Sequence, residues 1–256
     1  MAIIDKVLPL TTLISFVGGN SGQMTIELMR YHNKFCRFDL AYTDELGRYC
    51  RSVMMPFSES QYATRLPYHN LDPNVGQFSW IRNDATKQWL RSQCEDWFMT
   101  QWEINSIMDI EEVLFNEQII TIPTHLSPDF MDFVMPESRK VFIVDDNAYF
   151  ATRADEAKNP DKHPTDIKSR FKYLSHRVAT HRAWNNFDDF NRPNSVVINR
   201  SRLFNTNLSI HSAEMSKLFI LHGIEASEPL LDKTHEMVLR YLEAQVAAGY
   251  FTNLHI

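Results

Sequence analysis

Glycine is scarce in this chain, with seven in 256 residues. Three of them, Gly18, Gly19 and Gly22, fall inside FVGGNSGQMT at 16–25. Glycine costs backbone entropy and is kept where the chain must turn sharply or approach something closely, so the cluster marks a specialised turn. Cysteine is equally sparse. Cys36, Cys50 and Cys94 form an odd set with no CxxC pair, which argues against a disulfide scaffold and a zinc site. They read as reduced thiols in an intracellular compartment, with a Cys36–Cys50 disulfide as the alternative. No run of about eighteen apolar residues occurs, so no transmembrane span is expected. The opening MAIIDKVLPLTTLISF carries Asp5 and Lys6 and no small-residue cleavage site, unlike a secretory signal. Positive charge is not in excess either. The net charge of −6 gives no general reason to expect nucleic acid as a partner.

What is present is an ordinary globular composition, 44% hydrophobic and 23% charged, without repeats or low-complexity tracts. Residues 11–17 (TTLISFV) read as a short buried strand. Residues 21–34 read as a helix with Ser21 as N-cap and Ile26, Leu28 and Met29 facing inward. From 42 to 76 three prolines break the pattern, and an irregular insertion near 42–83 is expected. A helix at 84–102 carries Trp89, Cys94, Trp97, Phe98 and Trp102 on its apolar side, a stripe that suits a core. Further strands are expected at 118–124 (QIITIPT), 140–146 (KVFIVDD) and 195–204 (SVVINRSRLF). A helical turn falls at SPDFMDFVMPES, a helix candidate at NAYFATRADEAK, and a basic helix at 166–184. Helices at 211–222 and 232–247 close the chain, with Gly223 and Gly249 as stops. Strands alternating with helices predict one three-layer α/β domain over 1–256, a parallel sheet with helices on both faces.

In such a sheet the first strand-to-helix turn directs backbone N–H groups and a helix N-terminus at an anion. Gly18, Gly19, Asn20, Ser21, Gly22 and Gln23 would form that turn. A Walker A loop needs four residues between its glycines and a following lysine. Here three residues separate Gly18 from Gly22, Gln23 follows, and no lysine is present, which disfavours an ATPase or kinase. A tight turn without ligand is the competing reading.

Taken in order, the Ser-Gly turn, then ITIPTHLSPDFMDFVMPESRKVFIVDDNAYFATRADEAK, then a late strand leading to LFILHGIE, the chain resembles the sulfotransferase family. The resemblance covers order and spacing over most of the chain. It implies a P-loop-like α/β sheet that binds 3′-phosphoadenosine 5′-phosphosulfate (PAPS). In that family a Lys-Ser-Gly-Thr-Thr loop holds the phosphosulfate. A Lys-Thr-His-Leu-Pro segment carries the base, and an Arg-Asn-Pro…Ser stretch holds the 3′-phosphate.

Carried over residue by residue, Ser21 and Gly22 match the loop, while Asn20 stands for its lysine and Gln23 and Met24 for its threonines. Thr124, His125 and Leu126 match Thr-His-Leu, with Pro123 in place of the lysine. Asn147 matches the asparagine, but Asp146 stands for the arginine and Ala154 for the serine. The missing lysine removes a cation whose charge stabilisation typically accounts for about 3–4 kcal/mol of a barrier. Asp146 would repel a dianionic phosphate. His125 is the candidate general base, since an imidazole at a strand's carboxyl end can take a proton near neutral pH. A histidine that merely hydrogen-bonds a loop is the structural alternative.

Lys168, Arg170, Lys172 and Arg177, within KSRFKYLSHRVATHR, form a basic run suited to an anion, an acidic partner or a solvated helix face. The resemblance therefore implies a scaffold kept and a cofactor site degenerated: no cofactor, no metal, and a binding or structural component with protein partners in an assembly. The alternative is an active sulfuryl- or other group-transferase with a divergent PAPS-type donor site and His125 as base. A weaker reading is a nucleotide- or nucleic-acid-binding module. The glycine-poor, Asn- and Met-containing character suits a virus- or phage-encoded chain, in the virion or the cytoplasm, with no membrane partner.

Overall fold

The computed structural model describes residues 3–16, 22–36, 69–71, 78–80, 84–105, 109–124, 128–145 and 192–247, together with 166, 168, 169, 171 and 175. The chain opens with α1 (Ile3–Val7), a 3-10 turn (Leu8–Leu10), β1 (Thr11–Phe16), α2 (Gly22–Met29) and β2 (Phe35–Cys36). A small pair follows, β3 (His69–Leu71) and β4 (Phe78–Trp80), and then α3 (Asp84–Asn105) and α4 (Ile110–Phe115). The middle is β5 (Ile119–Thr124), α5 (Pro128–Val134) and β6 (Arg139–Val144). Last come β7 (Ser195–Asn199), α6 (Arg200–Leu203), α7 (Leu208–Leu221) and α8 (Glu228–Ala247).

The main sheet has five strands in the order β2-β5-β1-β6-β7, every neighbouring pair parallel. β1 lies at its centre, and all six of its residues are buried. A strand covered on both faces cannot alternate apolar with polar residues, which is why TTLISF reads as a continuous run. One face packs Leu13, Ile120, Ile122 and Phe142 against Leu90, Cys94, Phe98 and Trp102 of α3 and Met131 and Val134 of α5. The other packs Ile14, Phe16, Val141 and Ile198 against α2, α7 and α8. This is the expected three-layer α/β architecture with helices on both faces.

The four expected strands lie within a residue or two of their expected starts. Several boundaries differ, each for a physical reason. The helix expected over 21–34 ends at Met29, and a turn then brings Phe35 and Cys36 into the sheet beside Ile119 and Ile120. The strand expected over 195–204 stops at Asn199, whose side chain accepts the Arg202 N–H and starts α6. The expected irregular stretch contains the antiparallel β3–β4 pair, and α4 was not expected at all; Asp109 caps it by accepting the Glu111 N–H.

α7 starts earlier than expected, at Leu208, and stops where Gly223 adopts φ 65°. The Ile224 N–H reaches back to the Phe219 carbonyl and the Gly223 N–H to Ile220, closing the last turn. Of the apolar stripe on α3, Cys94, Phe98 and Trp102 are buried and Trp89 is half-buried. The NAYFATRADEAK segment, Ser21, Gly249 and the side chain of Trp97 lie outside the described residues.

Candidate functional site

β1 leads through α2 to β2 on one side of the sheet, while β6 leads to β7 on the other. The order therefore reverses between β1 and β6, and the crevice outside their carboxyl ends is where an open parallel sheet binds ligands. Ser15 is in register with Thr124, and both side chains are buried. Phe16 pairs with Ile143 and Val144 with Asn199, so the next residues out, Asp145 and Arg200, share one level of the edge.

Asp145 and Arg200 form an ion pair at 3.1 Å with both groups buried. The guanidinium also lies 6.0 Å from the centre of the Phe204 ring. Beside them Glu214, fully buried on α7, accepts the Asn199 N–H at 2.6 Å and binds Lys217 at 2.7 Å and Arg202 at 3.4 Å. Two buried carboxylates are thus matched by cations from the β7–α6 turn and from α7. Burial without such partners would cost several kcal/mol for each charge. The arrangement fixes the turn and leaves Arg200 committed to Asp145.

At the end of β1 the Phe16 ring occupies the place where a Cβ on Gly22 would stand. The glycine is needed for close approach of α2 to the strand, a packing reason independent of any anion. Gln23 lies in the first turn of α2. Gly18, Gly19, Asn20 and Ser21 lie outside the described residues, as do His125, Asp146, Asn147 and Ala154. Of the basic run, Lys168 is exposed and helical, with Phe171 exposed beside it, while Arg170, Lys172 and Arg177 lie outside the described residues. Asp166 starts that segment by accepting the Ser169 N–H, a bond that holds its carboxyl below the usual range.

Asp145, Arg200 and Glu214 were missed by sequence reading. The signal was a charged residue directly after a buried apolar strand, in KVFIVD and SVVINR. Buried Cys36 is no nucleophile, since burial pushes its thiol up to about 12. Among the described residues no three metal-binding side chains converge, and no helix is long and apolar enough to cross a membrane.

No family model matches this chain. No curated protein matches it either. Among solved structures it is similar to retinol dehydratase in a complex with retinol and PAP. The identity is 15%, the alignment covers 94% of this chain and 67% of that one, and the TM-score is 0.46. The parallel α/β fold rests on the strand order and register of the chain itself.

Proposed function

We propose that this chain is a sulfotransferase-like protein with a degenerate PAPS site, acting as a non-catalytic binding or assembly component. The observation that carries the reading is the buried Asp145–Arg200 pair at the carboxyl edge of β6 and β7. An arginine at this edge is the natural contact for a phosphate, but Arg200 is spent on an internal carboxylate. Asp146, the next residue in sequence, adds negative charge where the resemblance asks for an arginine. The substitution of Asn20 for the loop lysine removes a further cation. Backbone N–H groups and the dipole of α2 favour an anion by only about 1 kcal/mol when exposed, too little to offset a reversed charge.

Titration with adenosine 3′,5′-bisphosphate and with PAPS tests this, read by calorimetry and by thermal shift. Neither ligand should give saturable binding at micromolar concentration. A micromolar affinity that weakens on Ser21→Ala would overturn the reading. It would favour the transferase with His125 as base, a reading supported by the buried Thr124 at the end of β5, the residue before His125 in sequence. The paired change Asn20→Lys with Asp146→Arg should restore nucleotide binding if charge alone was lost.

A further inference from the structure

We propose that the C-terminal end of α7 is fastened to the sheet by a neutral histidine, His222, so that acid loosens the α7 layer while the opposite layer stays folded. His222 and two further histidines, His211 and His32, lie along α7 or against it. His211, in its first turn, approaches the Leu203 carbonyl through Nδ1 at 2.6 Å and the Thr234 hydroxyl of α8 through Nε2 at 2.9 Å. His222 ends α7 and lies 3.4 Å from the Thr12 hydroxyl on β1 through Nε2, with its ring edge-on to Phe35 at 5.0 Å. His32, in the turn before β2, stands 6.1 Å from the Phe219 ring.

The three differ in what a second ring proton would do, and only at His222 does it oppose the contact with the sheet; at His32 it breaks a bond within the turn and leaves the ring contact with Phe219 in place. His32 Nδ1 accepts the Lys34 N–H at 3.2 Å, so a proton there breaks the bond. His222 Nδ1 is buried with no hydrogen-bond partner among the described residues, and a proton there would be an unpaired buried donor. A carbonyl only accepts, so His211 carries its proton on Nδ1, and Nε2 is the nitrogen left bare toward Thr234. The Thr234 hydroxyl also donates to the Leu231 carbonyl at 2.8 Å. With that proton given to Leu231, the Thr234 oxygen can accept from a protonated Nε2, so acid leaves this contact intact.

The charged and titratable neighbours oppose a further proton at all three sites. Lys34 acts on His32, Arg139 of β6 on His222, and His235 of α8 faces His211 with ring centres 5.3 Å apart. Glu214, one turn along α7 from His211, is already engaged by Lys217 and Arg202. Burial first, and these cations second, hold His32 and His222 below the ordinary imidazole range, His222 at about 3. His211 is lowered by burial and by His235, against the bond to Leu203. α3, α4 and α5, on the other face, contain no histidine.

The sign follows from linkage. A folded state that holds a histidine below its unfolded value is fully stabilised above about pH 6.5 and loses that stabilisation as the pH falls toward the folded value. Hydrogen exchange followed by peptide mass spectrometry from pH 7 to 4.5, corrected for intrinsic rates, reads it by element. Protection in α7 should fall by about a hundredfold, the factor for one histidine still unprotonated two units below 6.5. Protection in α3 should fall by less than tenfold. His222→Gln keeps a polar group toward Thr12 and cannot titrate, so it should flatten the α7 loss. Equal losses in α7 and α3, or an α7 loss below tenfold, would overturn the proposal. If the variant does not fold, NMR titration of the wild-type rings decides it: His222 should stay neutral above pH 4, and protonation near 6.5 in the folded protein refutes the fastening.

Discussion

Replacing Asp145 with alanine isolates the cost of the buried pair at the carboxyl edge. Asp145 is 1% exposed and Arg200 8%, with their charged atoms 3.1 Å apart. Truncating the carboxylate takes this counter-charge from a guanidinium that is out of water, and breaking such a pair costs roughly 3–5 kcal/mol. At about 2–4 °C per kcal/mol for a chain of this size, the melting temperature should fall by roughly 6–20 °C. Removing both charges with apolar residues of similar volume, Asp145→Leu with Arg200→Met, should cost far less than Asp145→Ala, because no charge is stranded. Urea denaturation of the single and double variants closes the cycle and gives the coupling directly. A loss below about 1 kcal/mol for Asp145→Ala, the cost typical of a solvent-exposed pair, would refute the reasoning. It would mean that the guanidinium is satisfied without Asp145, which would also weaken the proposed function.

Gly22→Ala should destabilise by roughly 1–3 kcal/mol in denaturant, because the Phe16 ring fills the added methyl's place. Adding Phe16→Leu should recover part of that loss if the clash is the cause. At Gly223, with φ 65°, alanine should cost about 1–2 kcal/mol, read as a lower urea midpoint with an unchanged m-value. Leu13→Ala, at a fully buried position in the central strand, should cost about 2–5 kcal/mol, and a smaller loss would mean that the α3 face repacks. A role as base and not as packing predicts that His125→Ala leaves the melting temperature within about a degree or two; a large drop would assign that histidine to the core.

Much of the fold was legible because its signals are local. TTLISF, IITIPT, RKVFIV and SVVIN announce buried parallel strands by unbroken apolar and β-branched runs, and Gly223 announces the end of α7. Less legible was whatever depends on partners distant in sequence. Phe35 and Cys36 are too few to register as a strand, and they become one only because β5 offers an open flank. Pro123 argues against a central strand, yet β2 pairs only Ile119 and Ile120, so Pro123 sits past that pairing.

At the site, sequence offered the glycine turn and a set of matched and altered motif positions, since those are patterns along the chain. It could not show that Asp145 would meet Arg200, 55 residues later. That pairing exists because β6 and β7 run parallel in a register that brings their ends to one level. Nor could it show that Gly22 serves the Phe16 ring, or that His32, His211 and His222 converge on one helix. The amino-acid order set which segments could be strand, helix or turn. Sheet register and layer packing decided which charges neutralise one another, because electrostatic partnership depends on distance in space and on the exclusion of water.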